Sequence, residues 1–324
     1  MKRFKSLALC AGLAAVTAST AQAQDECDRA CLQTLLDQYL AAIVQHDPAA
    51  APLALGVRQT ENAISVAPGN GTWQSVTALG DVQRRYFDPV SGQAGYYGSV
   101  EEGASSALVT VRIKVENHEI TEAEWYIARE NDPGLSGQRQ PGSPPANLLN
   151  VDYLKDNGPP ERVVPESERL DRETLIRIVN SYFDAITSHD PSVALVHPGC
   201  GRAENGSPAP GGQFLPPITP PAPDAPPPRD CVTGLEDFNL SMVTALRIPL
   251  VDVEAQAVLS YGVFVRRPGS PTPRNAFSEW FFIDDAKIRT VYTSMFYPGP
   301  ELAVPNWPPF DGNWPLPAGF GIAE

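Results

Sequence analysis

The chain has 324 residues, a net charge of −14 and 34 prolines, and 42% of its residues are hydrophobic. This length exceeds what one typical hydrophobic core supports and favours two domains. The acidic balance comes without any basic stripe, so nucleic acid and anionic membrane surfaces are not expected as partners.

The first residues are typical of a secretory signal peptide. Three basic residues within the first five precede the short apolar segment LALCAGLAAV, and a small-residue cleavage site ends at Ala23. Removal of residues 1–23 takes away three cations and makes the net charge −17. We therefore predict a soluble protein that is secreted or periplasmic, and no segment of it is long and apolar enough to span a bilayer.

A pattern near the start of the mature chain recurs in its second half. YLAAIVQHDP begins at Tyr39, YFDAITSHDP begins at Tyr182, and a Glu-Asn pair follows each, with the two copies 143 residues apart throughout. Apolar residues at helical spacing predict one helix over 28–46 and another over 172–189, the second capped by Asp171. The sequence therefore predicts two copies of one fold.

The repeated His-Asp-Pro triplet leaves two hypotheses open. Aspartate is favoured at a helix N-cap and proline at the first helical position, so each triplet indicates a short second helix after a tight turn. The alternative gives its histidine, His46 or His189, a catalytic role. The structural hypothesis accounts for both copies more simply.

Strand patterns follow each Glu-Asn pair, and in each half the last two predicted strands are joined by matched hairpin connections, at 115–120 and 283–288. Each half is therefore predicted as an α+β unit in which a curved antiparallel sheet wraps helices. We place the two domains at 27–130 and 168–298.

Three segments outside the regular patterns are rich in proline. Residues 131–167 are predicted as an irregular linker, and residues 207–228 as an extended Pro-rich insertion within the second domain. Residues 299–324 form a Pro/aromatic tail, which we expect to lie over a domain surface.

Four cysteines remain after cleavage, and an oxidising compartment favours disulfides in one of three connectivities. We predict Cys200–Cys231, which would close the base of the Pro-rich insertion. We also predict Cys27–Cys31, because these residues stand at i and i+4 at the start of a helix. No histidine stands at ligand spacing beside either pair, so the sequence predicts no metal.

Several of these motifs together resemble a known superfamily. The helix-one tyrosine, the YLAAIVQHDP turn, the strand ending in TEN and the ENHEI hairpin resemble the SnoaL-like branch of the NTF2-like superfamily. The tandem arrangement, the CGRAENG motif and the signal peptide are similar to an uncharacterised secreted family of paired SnoaL-like domains, the DUF8021 type. The resemblance covers most of residues 27–300. It implies two tandem cone domains, each with a pocket between sheet and helices, and an intramolecular pseudo-dimer of the two domains.

The resemblance also implies candidate site residues, because ketosteroid isomerases belong to this superfamily. In those enzymes a helix-one tyrosine and a protonated acid stabilise an oxyanion, and Tyr39 and Tyr182 match that tyrosine. The acid aligns with Val111 in the first half, which cannot serve, and with Glu279 in the second. A tyrosine hydroxyl beside a neutral carboxylic acid offers two donors to one oxygen and stabilises an enolate.

The base of those isomerases falls on Asn62 and Asn205, which cannot take a proton. Glu61 and Glu204 stand one residue earlier, and neighbouring residues of a strand point to opposite faces. Isomerisation by that mechanism therefore requires a bulge that turns the glutamate inward. The alternative is a strand-end turn in which Asn or Glu satisfies main-chain groups.

Two functions stay open on the sequence alone. The first is a cofactor-free lyase, isomerase or dehydratase acting on a small apolar carbonyl or phenolic compound, with Tyr182 and Glu279 stabilising the oxyanion. Glu204 or His189 would be the base. The other predicted ligand contacts are Tyr39, Asn62, Asn205 and Glu61. The second function is a non-catalytic ligand-binding or protein-interaction module, in which the tyrosine is a core residue and Glu279 forms a salt bridge.

Overall fold

The computed structural model describes residues 27–135, 137–208 and 230–298. The predicted signal peptide, most of the predicted Pro-rich insertion and all of the predicted tail lie outside the described residues. Within those ranges, every helix is too short or too polar to cross a membrane.

The first half places one long helix before a six-stranded sheet. Helix α1 spans Arg29–Val44, and a short 3-10 helix follows at Pro48–Ala50. The strands and the one-turn helix α2 are β1 (Leu53–Glu61), β2 (Ile64–Ser65), α2 (Thr72–Ser75), β3 (Ala78–Asp88), β4 (Gln93–Glu102), β5 (Ser105–Glu116) and β6 (Glu119–Ala128). The strand order is β2-β1-β6-β5-β4-β3.

The segment between the two sheets is more ordered than the sequence predicts. Within the predicted irregular linker, α3 spans Val151–Asn157. This helix is too short to give a periodic apolar signal. Further along this segment, the carbonyl of Pro160 accepts from Tyr86 of the first domain. Arg162 of the segment donates to the carbonyl of Ala255 of the second domain. The segment is therefore hydrogen-bonded to both domains.

The second half repeats the first. Its elements are α4 (Arg172–Ser188), a 3-10 helix (Pro191–Val193), β7 (Val196–Glu204), β8 (Ser207–Pro208), β9 (Met242–Asp252), β10 (Ala257–Val265), β11 (Arg274–Asp284) and β12 (Lys287–Phe296). The strand order β8-β7-β12-β11-β10-β9 matches that of the first sheet. The described chain is thus an α+β protein with two similar domains.

Both sheets are mixed, which corrects the expectation of an antiparallel sheet. β1 runs parallel to β6, and β7 runs parallel to β12. After β2 the chain crosses to the far edge of the sheet, and three hairpins then bring β6 back beside β1. The strand pattern of the sequence identifies hairpins, but it does not show which earlier strand will flank the last one.

The His-Asp-Pro triplets begin short helices, which confirms the structural hypothesis for them. Asp47 and Asp190 each cap a 3-10 helix by accepting a hydrogen bond from the main-chain nitrogen two residues on, at 3.0 and 2.9 Å. His46 and His189 adopt positive φ angles of 57° and 56°. The triplet therefore ends one helix with a left-handed residue and starts the next.

Two apolar clusters pack α1 and α4 against one face of their own sheets, and a third cluster joins the opposite faces of the two sheets. In the third cluster, the rings of Tyr86 and Trp280 lie 4.7 Å apart. Gly95 permits this approach, because a Cβ there would lie 2.5 Å from the indole of Trp280. The face of each sheet that the helix covers is thus separate from the face that meets the other domain.

Two ion pairs cross between the domains in a reciprocal pattern. Arg29 at the start of α1 donates to both carboxylate oxygens of Asp252 at the end of β9, each at 2.9 Å. Arg172 at the start of α4 pairs with Asp88 at the end of β3. Each aspartate also accepts from a main-chain nitrogen of the other domain's edge strand, at 2.8 and 2.9 Å. An exchange of equivalent contacts of this kind is what a two-fold interface produces.

Both predicted disulfides are confirmed. The Cα atoms are 5.2 Å apart in Cys27–Cys31 and 5.1 Å apart in Cys200–Cys231. The second bridge joins Cys200 of β7, before the insertion, to Cys231 after it, and both cysteines are buried.

Replacing Cys200 and Cys231 with alanine is expected to lower the free energy of unfolding by roughly 3–4 kcal/mol, because that bridge closes a long loop. The same change at Cys27 and Cys31 is expected to cost only about 2 kcal/mol, since the closed loop is short. Urea denaturation of both double variants measures the difference. Equal losses would contradict the loop-length argument.

Candidate functional site

A row of polar residues lies on the helix-covered face of the second sheet. Glu279 on β11 lies opposite Thr293 on β12, which lies opposite Glu204 on β7. Directly opposed residues point to the same face, and Arg202 shares that face because it stands two residues before Glu204. We call these four residues the polar row. Neighbouring positions of the same strands belong to the apolar cluster beneath α4, so the polar row lies in the interior of the domain.

Arg202 joins the two carboxylates of the polar row. Its Nη2 donates to Glu279 Oε1 at 3.0 Å, and its Nη1 lies 3.4 Å from Glu204 Oε2. Glu279 is 0% exposed, so the first contact is a buried ion pair. The hydroxyl of Tyr297 donates to the other oxygen of Glu204. Both glutamates are therefore fixed in position.

Tyr182 of α4 approaches the polar row from the helix side. The side chain is buried, and its ring packs edge-on against Phe281 at 5.3 Å. Burial raises the pKa of Tyr182, although the positive charge and hydrogen bond of Arg202 act in the opposite direction. The two residues predicted to stabilise an oxyanion, Tyr182 and Glu279, therefore both interact with Arg202.

The polar row keeps hydrogen-bonding capacity that the described residues do not use. Burial raises the pKa of Glu279 above its usual value of 4.5, and Arg202 opposes this shift. Glu279 Oε2, Arg202 Nε and Thr293 Oγ1 are buried and have no hydrogen-bond partner within the described ranges. Since buried polar atoms are nearly always paired, these three atoms indicate a place for water or a polar group of a ligand.

The corresponding place in the first domain is neutral and filled. The hydroxyl of Tyr39 donates to Gln59 Oε1 at 3.1 Å and accepts from Trp125 Nε1 at 2.9 Å. Trp73 Nε1 donates to the same glutamine oxygen at 2.8 Å. All four side chains are buried, so two indoles occupy the space beside the tyrosine.

Three substitutions account for the difference between the two domains. The strand pairings give the corresponding positions as Gln59 and Arg202, Val111 and Glu279, and Trp125 and Thr293. The second domain thus carries an ion pair where the first has neutral side chains, and a small hydroxyl where the first has an indole. The asymmetry makes the second domain the candidate site.

Glu61, a predicted ligand contact of the first domain, is held by protein groups on both of its oxygens. Oε2 accepts from the main-chain nitrogen of Thr72 at 2.9 Å, and Oε1 accepts from Arg129 at 3.0 Å. These contacts tie the end of β1 to α2 and to the end of β6. The ligand-binding role of Glu61, like that of Tyr39, stays a prediction.

The side-chain amides of Asn62 and Asn205 hydrogen-bond to main-chain groups of the neighbouring strand, just after β1 and β7 end. The amide of Asn62 accepts from Ile127 N at 2.9 Å and donates to Ile127 O at 3.0 Å. Asn205 makes the same pair with Met295, at 2.7 and 3.2 Å. Their φ angles of 48° and 47° place both residues in the left-handed region, which asparagine tolerates in turns. This geometry is the strand-end turn of the structural alternative, and contact with substrate stays a prediction.

His189 stands at the end of α4, and its ring contacts the chain that precedes β9 rather than the polar row. Its Nδ1 lies 3.0 Å from the carbonyl of Leu235, and its Nε2 lies 3.1 Å from the carbonyl of Leu240. Main-chain oxygens thus face both ring nitrogens. In the first domain, Nδ1 of His46 similarly lies 2.6 Å from the carbonyl of Trp73. The proposed base role of His189 stays a prediction, and its contacts connect the end of α4 to the chain before β9.

Sequence reasoning missed Arg202, Thr293 and Tyr297. Arg202 carried a usable signal, because a residue two positions before Glu204 in a strand shares its face. Thr293 and Tyr297 had no local signal, since the contact of Tyr297 with Glu204 spans 93 residues. It also missed the contact of the hairpin-turn residue His118 with Cys31, across a separation of 87 residues.

The second domain matches the model of a family without a known function. The family model described as "Domain of unknown function (DUF8021)" matches residues 168–295, which cover α4 and nearly all of the second sheet. No curated protein matches the chain. The described chain is therefore a two-domain α+β protein whose second domain is similar to the DUF8021 type.

Two solved structures are similar to about two fifths of this chain. TsrD from Streptomyces laurentii is 13% identical with a TM-score of 0.26, over 39% of this chain and 90% of that chain. A protein of unknown function with a cystatin-like fold from Methylobium petroleophilum PM1 is 13% identical with a TM-score of 0.28, over 41% and 82% of the two chains. Likeness at this level supports no functional argument.

Proposed function

We propose that the second domain is the active half of an exported, cofactor-free enzyme that moves a proton on a small apolar carbonyl or phenolic compound. An isomerase, a lyase or a dehydratase fits this chemistry. The observation that supports the proposal is the buried Glu279, which has one oxygen paired to Arg202 and one without a partner among the described residues, close to Tyr182. The two disulfides fit an oxidising compartment outside the cytoplasm.

The contacts of the polar row suggest a role for each residue. The hydroxyl of Tyr182 and the guanidinium of Arg202 would donate to the substrate oxygen on which negative charge develops, and they would do so in an apolar interior where such contacts are strong. Glu279, in place of the Glu204 or His189 that the sequence suggested as base, would transfer the proton through its unpartnered oxygen, because a carboxyl with a raised pKa is a more effective acid–base group near neutral pH. Glu204, held by Tyr297, would position Arg202.

We infer further that both domains are SnoaL-like cones that pack as a pseudo-dimer. The identical strand orders and the reciprocal Arg29–Asp252 and Arg172–Asp88 pairs support this inference. In this arrangement the first domain, with Trp125 at the position of Thr293, is the scaffold that covers the other face of the second sheet.

A binding module is the second candidate, and one contact favours it. Arg202 already lies beside both glutamates, so it neutralises the carboxylate that a proton transfer needs. A site of this kind would hold a polar ligand through the same atoms without turnover.

Proton–deuterium exchange distinguishes the two candidates without knowledge of the natural substrate. A panel of small ketones, enones and phenols is incubated with the protein in D₂O, and deuterium incorporation at carbon is followed by NMR. We expect catalysed exchange with at least one compound and a loss of about 10²–10⁴-fold on Glu279→Gln, the range for a removed acid–base group. Tyr182→Phe should also slow exchange, and the matched first-domain variant Tyr39→Phe should leave it unchanged.

Two outcomes would count against catalysis. A compound that binds in the second domain without any exchange would support the binding module. Equal effects of Tyr182→Phe and Tyr39→Phe would remove the distinction between the two domains.

A further inference from the structure

The two disulfides lie in different surroundings. Cys200–Cys231 is buried in the apolar cluster beneath α4, whereas both cysteines of Cys27–Cys31 are partly exposed at the start of α1. The exposed pair borders an open cavity of about 540 Å³, whose lining includes Cys27, Lys114 and His118. A disulfide beside an open cavity is accessible to a small thiol.

His118 lies close enough to Cys31 to act on its sulfur. It occupies the two-residue turn between β5 and β6, at a φ of 62°, and its Nδ1 lies 3.5 Å from Cys31 Sγ. A protonated imidazole at this distance would donate to a thiolate, and the first turn of the 16-residue helix α1 adds a partial positive charge. Other charged groups affect the stability of this thiolate in both directions. The positive charge of Lys114, which lines the cavity, favours it, whereas the negative charge of Asp28, which caps the helix beside Cys31, opposes it.

We propose that Cys27–Cys31 is a redox-active disulfide that exchanges with small thiols entering this cavity. The thiolate of the incoming molecule attacks Sγ of Cys27, a residue that lines the cavity, and a bond forms between these two sulfurs. The Cys27–Cys31 bond breaks, and Cys31 leaves as a thiolate beside His118. A second thiolate then attacks the outer sulfur of the mixed disulfide and releases Cys27 as a thiolate.

The reaction is balanced without a further reactant. Two thiols lose two electrons and two protons and become one small disulfide, while the protein pair gains the same electrons and takes up protons as a dithiol. The reverse direction reoxidises the protein with a small disulfide. This activity is independent of the polar row, which lies in the other domain.

The test uses the full-length mature protein in reduced and oxidised glutathione. Free thiols are alkylated at intervals and mapped by mass spectrometry. We expect Cys27 and Cys31 to be alkylated at least tenfold faster than Cys200 and Cys231. His118→Gln should slow the reduction of Cys27–Cys31 at least fivefold, while His197→Gln, which removes a histidine of the second domain, should leave it unchanged.

Reduction of both disulfides at one rate would overturn the proposal, as would an unchanged rate in His118→Gln. Circular dichroism of each variant verifies that the fold is retained. The comparison of two bridges within one molecule keeps the result independent of overall stability, because global unfolding would expose all four cysteines together.

Discussion

Replacing Arg202 with glutamine is expected to destabilise the protein by about 3–5 kcal/mol, because removing one partner of a buried ion pair leaves the other charge uncompensated. Glu279 is 0% exposed and would lose its only described hydrogen-bond donor on that oxygen. Adding Glu279→Val recreates the Gln59 and Val111 combination of the first domain. Most of the lost stability should then return, since replacing a buried ion pair by neutral side chains is often close to neutral.

Urea denaturation of the single and double variants measures this coupling. A cost below about 1 kcal/mol for Arg202→Gln would show that the pair is not the buried interaction described above. A double variant no more stable than the single one would show that the cost has another source. The stable double variant also serves as a folded protein that lacks the candidate site.

Asp252→Ala is also expected to cost about 3–5 kcal/mol, because it breaks a buried contact between the two domains. Asp252 is 0% exposed and accepts from Arg29 and from the main-chain nitrogens of Phe87 and Ala255. All of these donors would lose their acceptor at once.

The control for Asp252→Ala is Asp37→Ala within the first domain. Asp37 pairs with Arg85 at 2.7 Å, but its side chain is 45% exposed, so its loss should cost under about 1 kcal/mol. Chemical denaturation compares the two variants. Similar small losses in both would contradict the view that reciprocal ion pairs hold the domains together.

The parts of the fold that depend on neighbouring residues could be predicted from the sequence. Asp171 caps α4 by accepting from Thr174, and such a cap is encoded within three residues. The two-residue turn at Asn117 and His118 is likewise local, because both residues adopt positive φ angles in a hairpin turn. Both disulfides followed from spacing and compartment.

Features that join distant parts of the chain could not be predicted in the same way. The parallel pairing of β1 with β6 depends on how all the intervening strands pair, and the sequence of neither strand indicates it. For the candidate site, Tyr182 and Glu279 were predicted to donate to one common oxygen, and that role stays a prediction. Arg202 interacts with both, and its role becomes visible only when three strands are placed side by side.

Native mass spectrometry of the protein with its bound small molecules tests the central claim most directly. The claim is that the polar row of the second domain holds a small ligand, whereas the first domain is filled. We predict that a compound retained by the wild-type protein and by Tyr39→Phe is lost from the folded double variant Arg202→Gln/Glu279→Val. Equal retention by the double variant, or loss from Tyr39→Phe instead, would contradict the account.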